Sequence, residues 1–262
     1  MTGTIRQGES YLPHARKVLD ALQEAEAALA PAEAGLSGRL RITCGTTLGE
    51  VCVAGAVRRF LTENPSMRVD LHLMDGYTDL AAGGFDLAVR IGVPRDSSLR
   101  MRRLGETTPR IAASPDYLHR YGIPRRPEDL EKHRAILDLN EDTPSRWQFQ
   151  DTGGSLMTVP VSGALAVNSA SVTIAEAIAG HGLTRAPDIF LAPALASGAL
   201  VPLLDDYATG SRPIHMLSHP TAFRQHKIAA FAKVMQAELD SIFADRSLRL
   251  GKPFATRHNV TP

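Results

Sequence analysis

The chain has 262 residues, 44% hydrophobic and 22% charged, enough to bury one large core or two small ones. Its formal net charge of +1 excludes bulk attraction to a polyanion as the basis of function. No apolar run approaches the ~18 residues that span a bilayer, and MTGTIRQGES lacks the apolar core of a secretory signal. No membrane partner is therefore expected, and the cytoplasm is the expected location.

From Tyr11 to Ala30 the pattern is helical: Leu12, Ala15, Leu19, Leu22 and Leu29 fall at near-heptad spacing, and Glu26 weakens the seam. Pro31 and Gly35 end it. Such a stripe folds back on its own domain or pairs with the same helix of a second chain, and the heptad spacing favours pairing.

Short apolar runs then alternate with helical patterns. Strands are predicted at Leu40 to Cys44, Arg68 to Met74 and Asp86 to Ile91, with helices at Gly49 to Asn64 and Thr78 to Gly83 between them. This β-α-β-α-β order predicts a mostly parallel sheet with helices on its faces. Further strands are expected at Met101 to Leu104 and Arg110 to Ala113. A second unit begins at Ser114, with a capped helix to Gly122, a helical turn at Pro127 to Leu130, and strands at Arg134 to Leu139, Arg146 to Gln150 and Leu156 to Val167. A helix at Ser171 to Ala179 stops at Gly180-His181-Gly182, and another covers Ile189 to Ala196. Ala199 to Leu204 and Ile214 to Ser218 read as strands and His226 to Phe243 as a long helix, before an aperiodic tail. The late strand and helix are expected to return to the first unit.

In an open parallel sheet, ligands sit beyond the carboxyl ends of strands, where helix N-termini point unpaired N–H groups outward. Three joints have that form. Thr46 and Thr47 lie at the first, where Thr47-x-x-Glu50 fits a capping box. Asp75-Gly76-Tyr77-Thr78 forms the second, with Asp75 or Thr78 as cap, and Asn168-Ser169-Ala170-Ser171 the third. Hydroxyl and amide groups at helix N-termini suit a carboxylate or another small anion. Arg90 supplies positive charge there or pairs with a neighbouring carboxylate.

Several chemistries lack their residues. There is no GxxxxGK[ST], GxGxxG, GxSxG or HExxH. Cys44 and Cys52 form no CxxC and are expected as buried hydrophobes, a redox pair being the minor alternative. His215 and His219 fall on a strand and its exit rather than one helix face. No metal, cofactor or catalytic set is expected, and the chain reads as a binding protein without a reacting group.

The ordered runs GRLRITCGTTLGEVCVAGAVRRFLTENPSMRVDLHL, FDLAVRIG, IAASPDYLHRYGIPRRPEDLEKH, WQFQ, AIAGHGL and SGALVPLL resemble the effector-binding half of LysR-type transcriptional regulators, from about Gly8 to Phe243. GESYLPHARKVLDALQEAEAAL resembles that family's linker helix. The resemblance implies an α/β, two-lobed fold like type 2 periplasmic binding proteins, with a small-molecule effector between the lobes. The implied division is a linker helix at 1–36, lobe I at 37–113 and 213–247, lobe II at 114–212 and a tail at 248–262. By position, the effector would meet Thr46, Thr47, Tyr77, Thr78, Arg90, Asn168 and Ser169. Arg185, in a stretch that is usually apolar in the family, either joins them or faces solvent. The resemblance also implies a homodimer or homotetramer that reads DNA through a winged helix-turn-helix. Only Met1 to Gln7 precede the linker helix, so that module is expected to be missing from this chain. The alternative is a stand-alone solute-binding or sensor protein without DNA binding of its own.

Overall fold

The computed structural model describes residues 35–76, 79–92, 98–151, 153–220 and 225–250, with side chains as far as Ala244. The expected linker helix, Tyr77, Thr78 and the tail beyond Leu250 lie outside the described residues. Two compact units emerge: residues up to Thr108 with Asn140–Asp142 and Gly210–Leu239, and Pro109–Leu139 with Thr143–Thr209 and the chain from Asp240.

The first unit is built on a five-stranded sheet. Its strands are β1 (Gly38–Cys44), β2 (Met67–Leu73), β3 (Leu87–Ile91), β4 (Arg100–Thr107) and β12 (Arg212–Ser218), in the order β2-β1-β3-β12-β4. β1 runs parallel to β2 and β3, whereas β12 is antiparallel to β3 and β4. The sheet is therefore mixed rather than mostly parallel, because β12 enters from the far end of the chain. The apolar residues that mark β1 go inward, with Leu40, Ile42 and Cys44 fully buried.

Helix α1 connects β1 to β2 as Thr46–Leu48, then Gly49–Val53 in π geometry, then Ala54–Glu63. It starts earlier than the apolar period suggests. Phe60 of α1 meets Phe231 of α5 (His226–Leu250) edge to face at 5.5 Å, both fully buried. The expected helix at Thr78 to Gly83 is a single turn across its described residues. There Asp79 Oδ1 accepts from the Ala81 and Ala82 N–H groups, and Gly83 and Gly84 follow, the latter at φ 64°. Glu141 belongs to this unit and takes Arg212 through two hydrogen bonds of 2.7 and 2.8 Å.

The second unit has three small sheets, one of three strands and two of two. β5 (Pro109–Ala113) pairs antiparallel with β10 (Thr184–Pro187) and β11 (Val201–Leu203), so it sits with this unit and not with β4. β6 (Arg134–Asp138) pairs with β9 (Ser162–Val167), and β7 (Arg146–Gln150) with β8 (Leu156–Pro160). The apolar run from Leu156 thus splits at Val161 into two strands with different partners. Ser114 caps α2 (Pro115–Tyr121) by accepting from the Tyr117 N–H. Helices α3 (Ala170–Ile178) and α4 (Asp188–Ala196) complete the unit around a core of Tyr117, Leu130, Trp147, Phe149 and Leu183.

Candidate functional site

In the first unit, parallel pairing sets Cys44 opposite both Leu73 and Val89. The carboxyl ends of β1, β2 and β3 therefore share one edge of the sheet, and that edge is where ligands of open α/β sheets sit. Gly45, Asp75 and Arg90 all lie at or just past those strand ends.

Gly45, extended at φ −61° and ψ 147°, is the N-cap of α1 and offers no side-chain acceptor. The acceptor comes from the loop that follows β2: the Thr46 N–H donates to Asp75 Oδ1 at 2.9 Å. A Cβ at position 45 would lie 3.0 Å from that oxygen, so the glycine leaves room for the carboxylate. This corrects the expected capping box. Because the helix opens at Thr46, Thr47 falls inside the first turn and is 5% exposed, and Glu50 faces solvent. Thr46 remains half-buried at the joint.

Arg90 approaches the same edge from β3. Its Nη2 donates to Thr43 Oγ1 at 3.2 Å, and Thr43 is fully buried. Its Nη1 is buried and has no hydrogen-bond partner among the described residues. Burial pushes the Arg90 guanidinium below its usual range, opposed by the fields of Cys44 and Asp75. The group stays charged regardless, so an idle buried N–H of a cation is a costly arrangement that an acceptor would relieve.

The two cysteines also fall here. Burial pushes both thiols up to about 12, with Glu238 adding to the effect on Cys52. They are fully buried packing groups rather than reactive thiols.

In the second unit, Ser169 is the N-cap of α3, accepting from the Val172 N–H at 3.4 Å, and its hydroxyl lies 3.0 Å from that of Ser171. Asn168 is exposed beside it. Arg185 is half-buried on β10 and lines a small surface hollow with Arg110, Phe149, Asp205 and Tyr207. Arg110 pairs with Asp205 there at 3.2 Å, and burial holds the Asp205 carboxyl above the usual range against that pairing. His181, just past α3, pairs with Glu176.

The structure thus brings Thr46 and Arg90 to one sheet edge and places Asn168, Ser169 and Arg185 in the other unit. Sequence reasoning missed Thr43, and it read Asp75 only as a cap for its own joint. No local signal marks either role, because Thr43 and Arg90 are 47 residues apart and Thr46 and Asp75 are 29 apart.

A family model described as the LysR substrate binding domain matches residues 33–240. An HTH-type transcriptional regulator of Haemophilus influenzae is 30% identical over 210 residues, which cover 80% of this chain and 73% of that protein. The HTH-type transcriptional regulator PgrR of Escherichia coli is 31% identical over 242 residues, covering 91% and 77%. Among solved structures, the full-length Vibrio cholerae virulence activator AphB, a member of the LTTR protein family, superposes with a TM-score of 0.70 at 25% identity, covering 88% of this chain and 78% of that one.

Proposed function

Because the chain belongs to the LysR-type transcriptional regulators and carries their substrate-binding domain at residues 33–240, we propose that it senses a small anion and converts its binding into control of transcription. The observation that carries the anion reading is the buried Nη1 of Arg90 at the carboxyl edge of the first unit's sheet, which has no hydrogen-bond partner among the described residues. Thr46, half-buried at the same joint, is the first unit's proposed hydroxyl contributor. Thr47 supports its first turn from within, and Tyr77 and Thr78 are proposed to contribute by their place in the chain. Asn168, Ser169 and Arg185 are the second unit's proposed contributors.

In this reading the protein turns nothing over and needs no cofactor. It works as a homodimer or homotetramer, and DNA contact belongs to a helix-turn-helix of the kind its relatives' names record. A thermal-shift screen of small carboxylates tests the sensing claim. A true effector at ~100 times its dissociation constant adds about 2.7 kcal/mol to stability. Stabilisation only by cationic or bulky apolar compounds would overturn the anion assignment.

A further inference from the structure

We propose that Asp75 is a built-in occupant of the anion position at this joint, displaced by an incoming carboxylate, and that it thereby sets the affinity threshold and charge selectivity of sensing. The proposal rests on the reading of the joint as the effector site and names how that site is regulated.

A helix N-terminus leaves its first N–H groups without internal partners and favours negative charge. At α1 one of these groups, the Thr46 N–H, is already satisfied by Asp75 Oδ1 at 2.9 Å. The arrangement is that of a bound carboxylate, except that the chain itself supplies it. Gly45 completes the fit, since a Cβ there would lie 3.0 Å from the same oxygen.

The charges at the joint explain why this occupant matters. Arg90 brings one positive charge and Asp75 one negative charge, and both act on the neighbouring Cys44 thiol from opposite directions. These two charges nearly cancel, while Arg90 Nη1 has no hydrogen-bond partner among the described residues. An arriving carboxylate is drawn by Arg90 and repelled by Asp75. Asp75 is half-buried, so water can receive its carboxylate when it leaves the Thr46 N–H. A neutral compound of the same shape meets neither force strongly. Weak anions then fail to compete with a carboxylate already in place, and only a ligand with further contacts displaces it.

A purely structural cap makes a different forecast, and asparagine separates the two. Asn at position 75 keeps an Oδ1 that accepts from the Thr46 N–H but removes the charge. The probes are acetate and its neutral counterpart acetamide, titrated at constant ionic strength against wild type, Asp75→Asn and Asp75→Ala, with thermal unfolding as the readout. The proposal expects the apparent affinity for acetate to rise about tenfold in Asp75→Asn, as befits removal of one like charge at close range. Asp75→Ala, which also frees the Thr46 N–H, gains at least as much, and the acetamide response is the same in all three proteins. Equal acetate responses in all three proteins overturn the displacement by Asp75 and leave the effector site standing. Indifference of all three to acetate overturns the anion site and the displacement together.

Discussion

Arg90 Nη2 donates to Thr43 Oγ1 at 3.2 Å across adjacent parallel strands, and the acceptor is completely buried. This bond holds the guanidinium at the sheet edge and leaves Nη1 as the donor without a partner among the described residues. Thr43→Val keeps the shape of the side chain and removes the acceptor. It should destabilise the protein by about 1–3 kcal/mol, the usual cost of leaving a buried donor unsatisfied. It should also weaken any stabilising carboxylate, because Arg90 loses its fixed position. Thermal unfolding with and without the ligand measures both effects, and an unchanged ligand response would remove Thr43 from the account.

Two glycines of α1 should respond in opposite ways to the same substitution. A Cβ at Gly49 would lie 2.9 Å from the Sγ of fully buried Cys44, which has no room to give, and 2.3 Å from Cδ2 of the more exposed Leu73. Gly49→Ala should cost about 1–3 kcal/mol despite alanine's better helix propensity. A Cβ at Gly55 would lie 2.1 Å from Glu238 Oε1, the free end of a flexible side chain that can swing aside. Gly55→Ala should therefore be neutral or stabilising by up to about 1 kcal/mol. Parallel unfolding curves decide it. Equal losses at both positions would show that the turn of π geometry, and not the local contacts, controls the response.

His133 gives the second unit a pH dependence. The residue is 8% exposed, its Nδ1 lies 3.2 Å from the Tyr117 hydroxyl, and that hydroxyl accepts from the Arg134 N–H at 2.9 Å. Burial pushes the imidazole below its usual value, and Asp129 opposes this in part. The folded form therefore binds its proton less readily than the unfolded chain does. The stability that follows is present above the unfolded value of about 6.5 and is lost as pH falls through the folded one. The unfolding midpoint should drop between pH 7 and pH 5, and His133→Gln should flatten that slope. The same slope in both proteins would assign the effect to other groups.

The cysteines should be silent in the native state. With both thiols fully buried and pushed up to about 12, only ~10⁻⁴ of each is thiolate near pH 8. A thiol-reactive disulfide reagent should label the native chain on the timescale of unfolding, and label both cysteines at once in denaturant. Rapid native labelling of one thiol would restore the redox alternative.

Those buried thiols were legible from the sequence, as were most strands. β1 announces itself by the alternation of Leu40, Ile42 and Cys44 with polar residues and β3 by the short apolar run Leu87-Ala88-Val89, and their length leaves no room for a helix. β10 escaped notice because Thr184–Pro187 is short and polar. Its burial depends on the Thr184 hydroxyl donating to Thr173 at 2.9 Å, a pairing set by α3. The start of α1 was misplaced for a similar reason. Thr47-x-x-Glu50 satisfies a local capping rule, yet the cap that forms is the Asp75 carboxylate, delivered by β2 after 29 residues of intervening chain. Residue type and position pointed to Thr46 and Arg90 at the joint. Strand register alone reveals that Thr43, Asp75 and Arg90 converge on one edge.

At that edge, in the proposed function, Arg90 receives an anionic effector. Isothermal titration of the most stabilising small carboxylate into wild type and Arg90→Gln tests it most directly. Loss of a charge-assisted hydrogen bond of about 1.5–3 kcal/mol should weaken binding roughly 10- to 150-fold in the variant. Undiminished affinity in Arg90→Gln, with the protein still folded, would contradict the claim.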